Sequence, residues 1–262
     1  MRIGAAICGK CAANGYNRGM QTVTLSIGQS EGIRAAKPEA VAFIRERLAK
    51  APTGLLETIV GGFSAPSKMP GFAYSIPAEE CRTGSVLRKV KGSACSKCYA
   101  LKGNYVRFKG PRLAMRRRFD AIRGGSLWVA AMSLLLERLA AKGHTYFRWH
   151  DSGDIQDANH LRNICMVHEF APQVHGWIPT REYRILDGYG VQIPKNLAVR
   201  VSAHMIGERA PSRFALSSMI VPKGASAPAG VAHCPAPQQG GECRTCRNCW
   251  DSSVATVAYT QH

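Results

Sequence analysis

The chain has 262 residues, of which 35 are lysine or arginine and 17 are aspartate or glutamate, so its formal net charge is +18. Because 45% of the residues are hydrophobic, the composition excludes a disordered tail, and the chain is long enough to bury a core. The sequence lacks both a run of about 18 apolar residues and a signal-peptide-like apolar start, so we expect a cytoplasmic protein without a membrane span. The excess of cations predicts a polyanionic partner, with nucleic acid as the first candidate.

Three regions follow one another along the chain. Residues 1–70 are predicted to form an N-terminal extension, with one helix over residues 38–50 and a Pro- and Gly-rich connector after it. Residues 71–222 are predicted to form the core. Residues 223–262 are predicted to form a C-terminal metal-binding segment, which begins with an irregular loop over residues 223–241.

Within the core, strand-like apolar runs alternate with helical segments. Strands are predicted over residues 72–76, 145–149, 174–179, 197–202 and 214–221. Helices are predicted over residues 111–123, 126–142 and 157–170, and a loop over residues 81–98. This alternation predicts an α/β fold with a parallel sheet, and polar residues at the strand ends would suit a full or partial (β/α) barrel.

Clustered cysteines are the strongest chemical signal in the sequence. Without a secretory signal thiols stay reduced, so clustered cysteines indicate metal sites rather than disulfides. The last cluster has the spacing C-x8-C-x2-C-x2-C and contains Cys234, Cys243, Cys246 and Cys249. Four thiolates at this spacing suit tetrahedral Zn²⁺ or an iron–sulfur cluster. The isolated Cys165 is predicted to be a buried helix residue.

A second cluster consists of Cys81, Cys95 and Cys98, between a predicted strand and a predicted helix. Three protein thiolates would leave one position of a metal or cluster open for a substrate or a cofactor. The alternative is a closed structural site whose fourth ligand is Cys8, Cys11 or a histidine. A third interpretation makes the pair Cys8 and Cys11 a separate site, and the sequence leaves all three open.

Polar residues directly follow several predicted strands, where imidazole and carboxylate groups could carry acid–base or nucleophilic chemistry. The catalytic candidates are His150, Asp151, Asp154, Arg181 and Glu182. The cofactor-binding candidates are Ser152, Gly153 and Ser202. Gly153 would let the backbone approach a ligand. The competing interpretation is structural: Ser152 or Asp154 would cap the helix over residues 157–170, and Arg181 and Glu182 would form surface salt bridges.

A basic stretch lies between Arg82 and Arg123, with 13 lysine or arginine residues and a single acidic residue, Asp120. Cations bind phosphates, and the aromatic residues interleaved here could stack on bases; the alternative is an ordinary solvated surface. The nucleic-acid-binding candidates are Arg107, Lys109, Arg112, Arg116, Arg117 and Arg118. Because this stretch adjoins the second cysteine cluster, we expect the polyanion and the metal to meet at one site.

The order of these motifs resembles the gene-product-88-like proteins of bacteriophages. The matching features are the element from Cys98 to Ala100, the element from Arg148 to Asp154, the strand and threonine from Trp177 to Arg181, the strand from Pro194 to Ser202, and the cysteine-rich end from Cys234 to Trp250. The resemblance covers about residues 70–250. It implies architecture more than activity, since the function of that family is poorly defined.

Two remoter resemblances imply mechanisms. The segment from Cys95 to Tyr99 resembles the end of the cluster-binding motif of radical-SAM enzymes, and the segment from Ser152 to Asp154 lies where their Gly-Gly-Glu motif would fall. This resemblance implies a [4Fe–4S] cluster with S-adenosylmethionine as cofactor, although Cys81 stands further upstream than in that superfamily. The segment from Asp151 to Gly153 is similar to the Asp-Ser-Gly-Gly motif of guanine transglycosylases, which also carry a late zinc site; Asp187 is a loose candidate for their nucleophile.

The sequence therefore predicts a phage-type metalloenzyme that modifies a base of nucleic acid, with DNA expected as the substrate. Its metal is either an iron–sulfur cluster or Zn²⁺. The C-terminal cysteine cluster would be structural or an auxiliary redox centre. The alternatives are a DNA guanine transglycosylase that inserts a 7-deazaguanine base and contains structural zinc, and a non-catalytic nucleic-acid-binding protein stabilised by zinc.

Overall fold

The structure, a computed structural model, describes residues 32–190 and 192–261. The helices are α1 (Pro38–Leu48), α2 (Thr53–Val60), α3 (Arg82–Leu87), α4 (Asn104–Arg107), α5 (Lys109–Ala121), α6 (Ser126–Ala140), α7 (Ala158–Phe170) and α8 (Tyr183–Asp187). The strands are β1 (Phe72–Tyr74), β2 (Tyr146–Trp149), β3 (His175–Thr180), β4 (Leu197–Ser202), β5 (Ser217–Val221), β6 (Ala232–His233) and β7 (Thr256–Thr260).

The strands form one sheet in the order β1-β2-β3-β4-β5-β7-β6, and every neighbouring pair is parallel. The predicted α/β class and the parallel sheet are therefore confirmed. Among the described residues the sheet is not closed, because β1 and β6 are its two edges. A full or partial barrel stays a prediction. In a parallel sheet all carboxyl ends lie along one edge, which brings the loops after β1 to β5 together.

Helix α6 lies at the centre of the core because its sequence is apolar on all sides. All nine residues from Trp128 to Leu136 are buried. Trp128 packs against Tyr74 of β1 and Trp149 of β2, with ring centroids 5.8 and 5.9 Å away, and its indole nitrogen donates to the Tyr74 hydroxyl at 3.1 Å. Such aromatic pairs each add about 0.5–1.5 kcal/mol beyond their burial.

Successive side chains of a strand point to opposite faces of the sheet, and different parts of the chain pack on the two faces. Phe147 and Trp149 of β2 point into the helical core. Trp177 of β3 belongs to the opposite face, where it packs with Trp250 and Cys249 of the C-terminal segment. The indole nitrogen of Trp250 donates to the carbonyl of Phe147 at 2.9 Å, so the C-terminal segment is fixed across this second face.

Asp157 is the residue that caps α7, because its side chain accepts a hydrogen bond from the backbone nitrogen of His160 at 2.8 Å. The structural alternative in which Ser152 or Asp154 caps this helix is therefore wrong. Cys165 in the same helix is buried, as predicted.

Three parts of the chain differ from the sequence prediction. Helix α2 occupies the expected connector because Leu56 and Val60, four residues apart, are both buried on one helix face. Helix α3 interrupts the loop expected over residues 81–98. Strands β6 and β7 were not predicted, yet they extend the sheet beyond β5 with residues of the C-terminal segment.

In the part of the chain that the structure describes, no single helix is long and apolar enough to cross a membrane. The bent pair Lys109–Gly124 and Ser126–Ala140 meets the length and composition criteria only jointly, with an angle of 119° between its halves.

Candidate functional site

The loop after β2 turns sharply at the carboxyl edge of the sheet. His150 has a φ of 57° and Gly153 a φ of 85°, both in the left-handed region. A Cβ at Gly153 would lie 2.2 Å from Cγ1 of Ile76 and 2.9 Å from its carbonyl oxygen, so only glycine fits there. The close approach that Gly153 permits is thus to the loop after β1. A ligand contact of this glycine stays a prediction.

Asp151 is held by three hydroxyl groups from other parts of the chain. Ser75 donates to one carboxylate oxygen, and Tyr105 donates to the other at 3.0 Å. The hydroxyl of Tyr99 donates to the carbonyl of Asp151. Burial and the adjacent carboxylate both raise the pKa of Tyr105, so this phenol remains a proton donor to Asp151. The arrangement fixes the position of a nearly buried carboxylate.

Asp154 has the properties of a group that exchanges protons near neutral pH. Its carboxylate accepts hydrogen bonds from the backbone nitrogens of Ile155 at 2.8 Å and Arg181 at 2.9 Å, and from the Thr180 hydroxyl. Burial raises the pKa of Asp154 to about 6 despite these hydrogen bonds. A carboxyl group with this pKa is suited to general acid–base chemistry.

Glu182 and Arg181 join neighbouring elements at the same edge. The Glu182 carboxylate accepts from the backbone nitrogen of Thr83 at 2.9 Å and from its hydroxyl at 2.7 Å, so it connects β3 to α3. Nε of Arg181 donates to the carbonyl of Ala203 at 3.3 Å. Neither residue forms an ion pair within the described ranges, so the surface-salt-bridge interpretation is wrong for both.

The remaining strand-end candidates are Ser202, which is hydrogen-bonded within the protein, and His150 and Ser152, which are buried. The hydroxyl of Ser218 donates to the hydroxyl of Ser202 at 2.9 Å, across β4 and β5. His150 and Ser152 are buried, and their side-chain polar atoms have no hydrogen-bond partner in the part of the chain described. Burial lowers the pKa of His150 to about 3, so its imidazole is neutral at pH 7.

The cysteines of the second cluster converge beside these carboxylates. A Cβ at Gly84 would lie 3.7 Å from the sulfurs of both Cys81 and Cys95, so the two thiols flank one point. Cys98 interacts electrostatically with both. Burial raises the pKa of Cys81, and the charge of Asp154 raises it further. The structure therefore brings the three predicted ligands together, next to Asp154.

The loop that carries Cys95 is attached to the end of β4. The backbone nitrogen of Ala94 donates to the carbonyl of His204 at 2.8 Å, and Ser93 forms an antiparallel bridge with Met205. His204 is itself stacked on Tyr183, with ring centroids 3.9 Å apart. The cluster loop, β3 and β4 are therefore joined at one edge of the sheet.

The C-terminal cysteines form a separate group across the second face of the sheet. Cys234, Cys243 and Cys246 interact electrostatically, and burial raises the pKa of Cys234 and Cys243. Cys249 is buried, and its sulfur lies 3.1 Å from the hydroxyl of Tyr259. The fully buried guanidinium of Arg200 fixes this segment by hydrogen bonds to carbonyls of Asn248, Cys249, Asp251, Val254 and Ala255.

Over residues 32–190 and 192–261, no group of three or more His, Cys, Asp or Glu side chains has the arrangement of a formed metal site. Cys8 and Cys11 lie outside the described residues. Metal binding by either cysteine cluster therefore stays a prediction, supported by the convergence of thiols in each.

Most of the predicted nucleic-acid-binding side chains are exposed. These are Arg107, Lys109, Arg112, Arg116 and Arg117, which we call the basic surface. Arg118 is different: it is 5% exposed, and its Nε donates to the carbonyl of Gly62 at 2.9 Å. This packing does not favour a role of Arg118 in nucleic-acid binding, which stays a prediction, because the side chain is almost fully buried and its Nε already donates to the backbone.

The hydroxyl groups that hold Asp151 were not predicted from the sequence. Ser75 and Tyr105 lie 76 and 46 residues from Asp151, a separation that hides their contact. A role for the Arg148 side chain was not predicted either, although a charged residue inside the otherwise aromatic strand Tyr146–Trp149 is a visible signal. These contacts follow from the parallel sheet, which no local pattern specifies.

The fold and the site define an α/β protein with an open parallel sheet and with thiols and carboxylates at its carboxyl edge. A family model described as Gene product 88 matches residues 42–252. The chain therefore belongs to the phage gene product 88 family, as the order of its motifs predicted. No curated protein and no solved structure matches the chain. The resemblances to radical-SAM enzymes and to guanine transglycosylases stay predictions.

Proposed function

We propose that this protein is a metal-dependent enzyme that modifies a base of nucleic acid, with DNA as the substrate. The observation that carries the proposal is the convergence of Cys81, Cys95 and Cys98 beside Asp154, where loops of a parallel sheet meet. Sites at this edge are typical of enzymes with parallel sheets. The open sheet would then correspond to part of a (β/α) barrel.

The thiols of Cys81, Cys95 and Cys98 fit a metal that keeps one position open. Three sulfur ligands would hold either an iron–sulfur cluster or Zn²⁺, and the remaining position would take a substrate or a cofactor. When bound, an iron–sulfur cluster would supply electrons to a cofactor such as S-adenosylmethionine, whereas Zn²⁺ would act as a Lewis acid. All three side chains are partly exposed, so a second molecule has access to them.

The carboxylates have separate roles in this proposal. Asp154, whose pKa of about 6 lies close to neutrality, gains and loses the proton. Asp151, with both oxygens engaged by Ser75 and Tyr105, positions the substrate and the loop that carries Tyr99. Arg181 supplies a positive charge beside Cys95, which would stabilise thiolate ligands.

The basic surface begins next to this site. Helix α4 contains Tyr105, which contacts Asp151, and also the exposed Arg107. Phe108 and Leu113, on the same segment, are 50% and 49% exposed. Phosphates on the arginines and a base stacked on Phe108 would place a nucleic acid strand at the mouth of the site.

The C-terminal cysteines have a structural role in the proposal. Their segment is fixed by the Arg200 hydrogen bonds and by Trp250 across the second face of the sheet. A four-thiolate metal there would stabilise the fold. The transglycosylase alternative is less well supported, because the carboxylate oxygens of Asp187 both accept hydrogen bonds from Arg213 at the surface.

Metal and base analysis of matched variants tests the proposal. Protein purified without oxygen should contain iron with sulfide, or zinc, and Cys98→Ser should lose the metal of one centre. Cys165→Ser, which changes a buried thiol outside both cysteine clusters, should keep the full metal content. Nucleosides from DNA treated with the wild type and its cofactors should include a modified base that is absent with Asp154→Asn.

The outcomes separate the candidate functions. Asp154→Asn protein that retains its metal and its DNA affinity but no longer modifies a base supports the enzyme. Metal content that is independent of Cys98, together with unmodified bases, contradicts it and leaves a zinc-stabilised nucleic-acid-binding protein. Colourless zinc protein that exchanges guanine in DNA would instead identify a transglycosylase.

A further inference from the structure

Arg148, in the middle of β2, has an unusual environment for an arginine within a sheet. It lies between Ala73 of β1 and Trp177 of β3, on the face opposite the helical core. Its Nε atom is buried and has no hydrogen-bond partner, and the contact of Nη1 is the sulfur of Met69 at 3.7 Å. Nη2 has no partner among the described residues either, and it is not sealed from solvent, so an external group can reach it.

The other two arginines packed inside the described structure behave differently. Arg118 donates from Nε to the carbonyl of Gly62, and Arg200 donates to five carbonyls. The Arg200 guanidinium is satisfied by the backbone through all three of its nitrogens, and Arg118 at least through its Nε. A buried arginine donor without an acceptor is costly, so the position of Arg148 requires an explanation other than packing.

Among the described residues no carboxylate forms an ion pair with Arg148. Both oxygens of nearby Asp151 already accept hydrogen bonds from Ser75 and Tyr105. Burial lowers the pKa of Arg148, but Asp151 together with Tyr99, Tyr105 and Tyr259 raises it, and the net shift is upward. The side chain is therefore a permanent cation with free donors.

The groups around Arg148 suit a ligand that combines an anion with a flat ring. The guanidinium lies 4.6 Å from the ring centroid of Trp177, and the phenols of Tyr99, Tyr105 and Tyr259 are close enough to interact with its charge. Tyr99 and Tyr105 also hold Asp151, so this position adjoins the carboxyl-edge site. Guanidinium groups bind phosphate oxygens in pairs, and aromatic faces stack on bases or sugars.

We infer that Arg148 binds a phosphate group of the nucleic acid substrate and so positions the nucleotide that reacts at the carboxyl edge. The identity of the ligand as nucleic acid rests on the proposed function, whereas the need for an anion rests on the unpartnered guanidinium. Arg148 is thus a substrate-positioning residue on the face of the sheet opposite the helical core.

Nuclear magnetic resonance of the wild-type, full-length protein tests this without requiring catalysis. The Nε–H signals of Arg148 and Arg200 can be followed while inorganic phosphate, then deoxynucleoside 5′-monophosphates, then the matching nucleosides are added. We expect the Arg148 signal to shift saturably with phosphate and with the monophosphates, and not with the nucleosides. The Arg200 signal, whose donor is already bonded to a carbonyl, should not move.

Variants give the same test in terms of affinity. Arg148→Met should weaken monophosphate binding at least about tenfold, because a charged hydrogen bond is lost. Arg209→Met, which removes the same charge from an exposed position, should change it less than about twofold. An Arg148 signal that does not shift with phosphate, or equal affinities for the two variants, overturns the inference. Arg148 would then balance the charge of Cys243 and Cys249, with which it interacts electrostatically.

The outcomes of this experiment distinguish a failure of the phosphate site from a failure of the proposed function. A phosphate-dependent Arg148 signal in a protein that modifies no base supports the phosphate site and contradicts only the enzyme. A modified base without any response of Arg148 supports the enzyme and overturns the phosphate site.

Discussion

His168 of α7 is buried against the sheet, and its hydrogen bonds fix which ring nitrogen carries the proton. The indole nitrogen of Trp149 lies 2.9 Å from Nε2 of His168. Because an indole N–H can only donate, Nε2 must be the acceptor. The proton is therefore on Nδ1, which donates to the carbonyl of Val174 at 3.2 Å. A second proton, on Nε2, would point its N–H at the indole N–H of Trp149, so this environment favours the neutral imidazole of His168.

We predict that His168 makes the fold sensitive to mild acid. Burial lowers the pKa of His168 from 6.5 to about 4. Between these two pH values the unfolded chain binds a proton that the folded chain does not, so stability is complete above pH 6.5 and falls as the pH approaches 4. For His168 alone the expected loss at pH 5 is about 2 kcal/mol relative to pH 7, read as the difference between the wild type and a His168 variant in urea unfolding at both values. His150 and His160, whose pKa values burial also lowers, add to the total loss.

The comparison with two glutamine variants isolates this effect. His168→Gln should be less stable than the wild type at pH 7 but should lose less stability on going to pH 5. His144→Gln, at an exposed position, should keep the pH dependence of the wild type. Equal pH dependence in all three proteins would contradict the assignment of acid sensitivity to His168.

At the scale of elements, the packing of α7 on β3 depends on a glycine. A Cβ at Gly176 would lie 2.4 Å from Nε2 of His168 and 2.6 Å from Cδ1 of Leu197. We predict that Gly176→Ala lowers the free energy of unfolding by about 1–3 kcal/mol, because the His168 ring must move and its bond to Trp149 weakens. Thermal or urea unfolding at pH 7 measures the change.

Gly54→Ala is the matched control for this substitution. Gly54 lies in α2, and a Cβ there would meet no atom within 4 Å. Alanine is the better helix former, so this variant should be as stable as the wild type or more stable by up to about 1 kcal/mol. A Gly176→Ala protein with the stability of Gly54→Ala would show that the His168 ring has room to move.

Elements with a strong internal pattern were predictable from the sequence, and those defined by distant partners were not. The apolar helix Ser126–Ala140 and the strand Leu197–Ser202 lie where their sequences predicted. The strand Thr256–Thr260 went unpredicted because its position depends on β5, more than thirty residues earlier. Helix α2 was not predicted because Pro52 and Gly61, which flank it, made this segment resemble a connector.

At the scale of the whole molecule, the site is assembled from loops that are far apart in the chain. Cysteine spacing and strand-end residues predicted which side chains carry chemistry, and the parallel sheet brings Cys81, Asp154 and Glu182 together. The sequence of the basic stretch does not predict which of its arginines are exposed. Arg117 and Arg118 are adjacent in the chain, yet Arg117 is exposed and Arg118 is buried. The net charge of +18 cannot make that distinction.

The last prediction concerns how this charge is used. If nucleic acid binds at the basic surface, each phosphate contact releases counterions into solution. The logarithm of the binding constant then falls linearly with the logarithm of the salt concentration, with a slope of about −0.9 per phosphate contact for duplex DNA. Arg112→Gln with Arg117→Gln should reduce the steepness by up to about 1.8. Arg209→Gln with Lys223→Gln removes the same charge from exposed positions elsewhere and should leave the slope almost unchanged. Equal slopes in the two double variants, measured by fluorescence anisotropy over a salt series, would mean that net charge attracts the polyanion while another surface binds it.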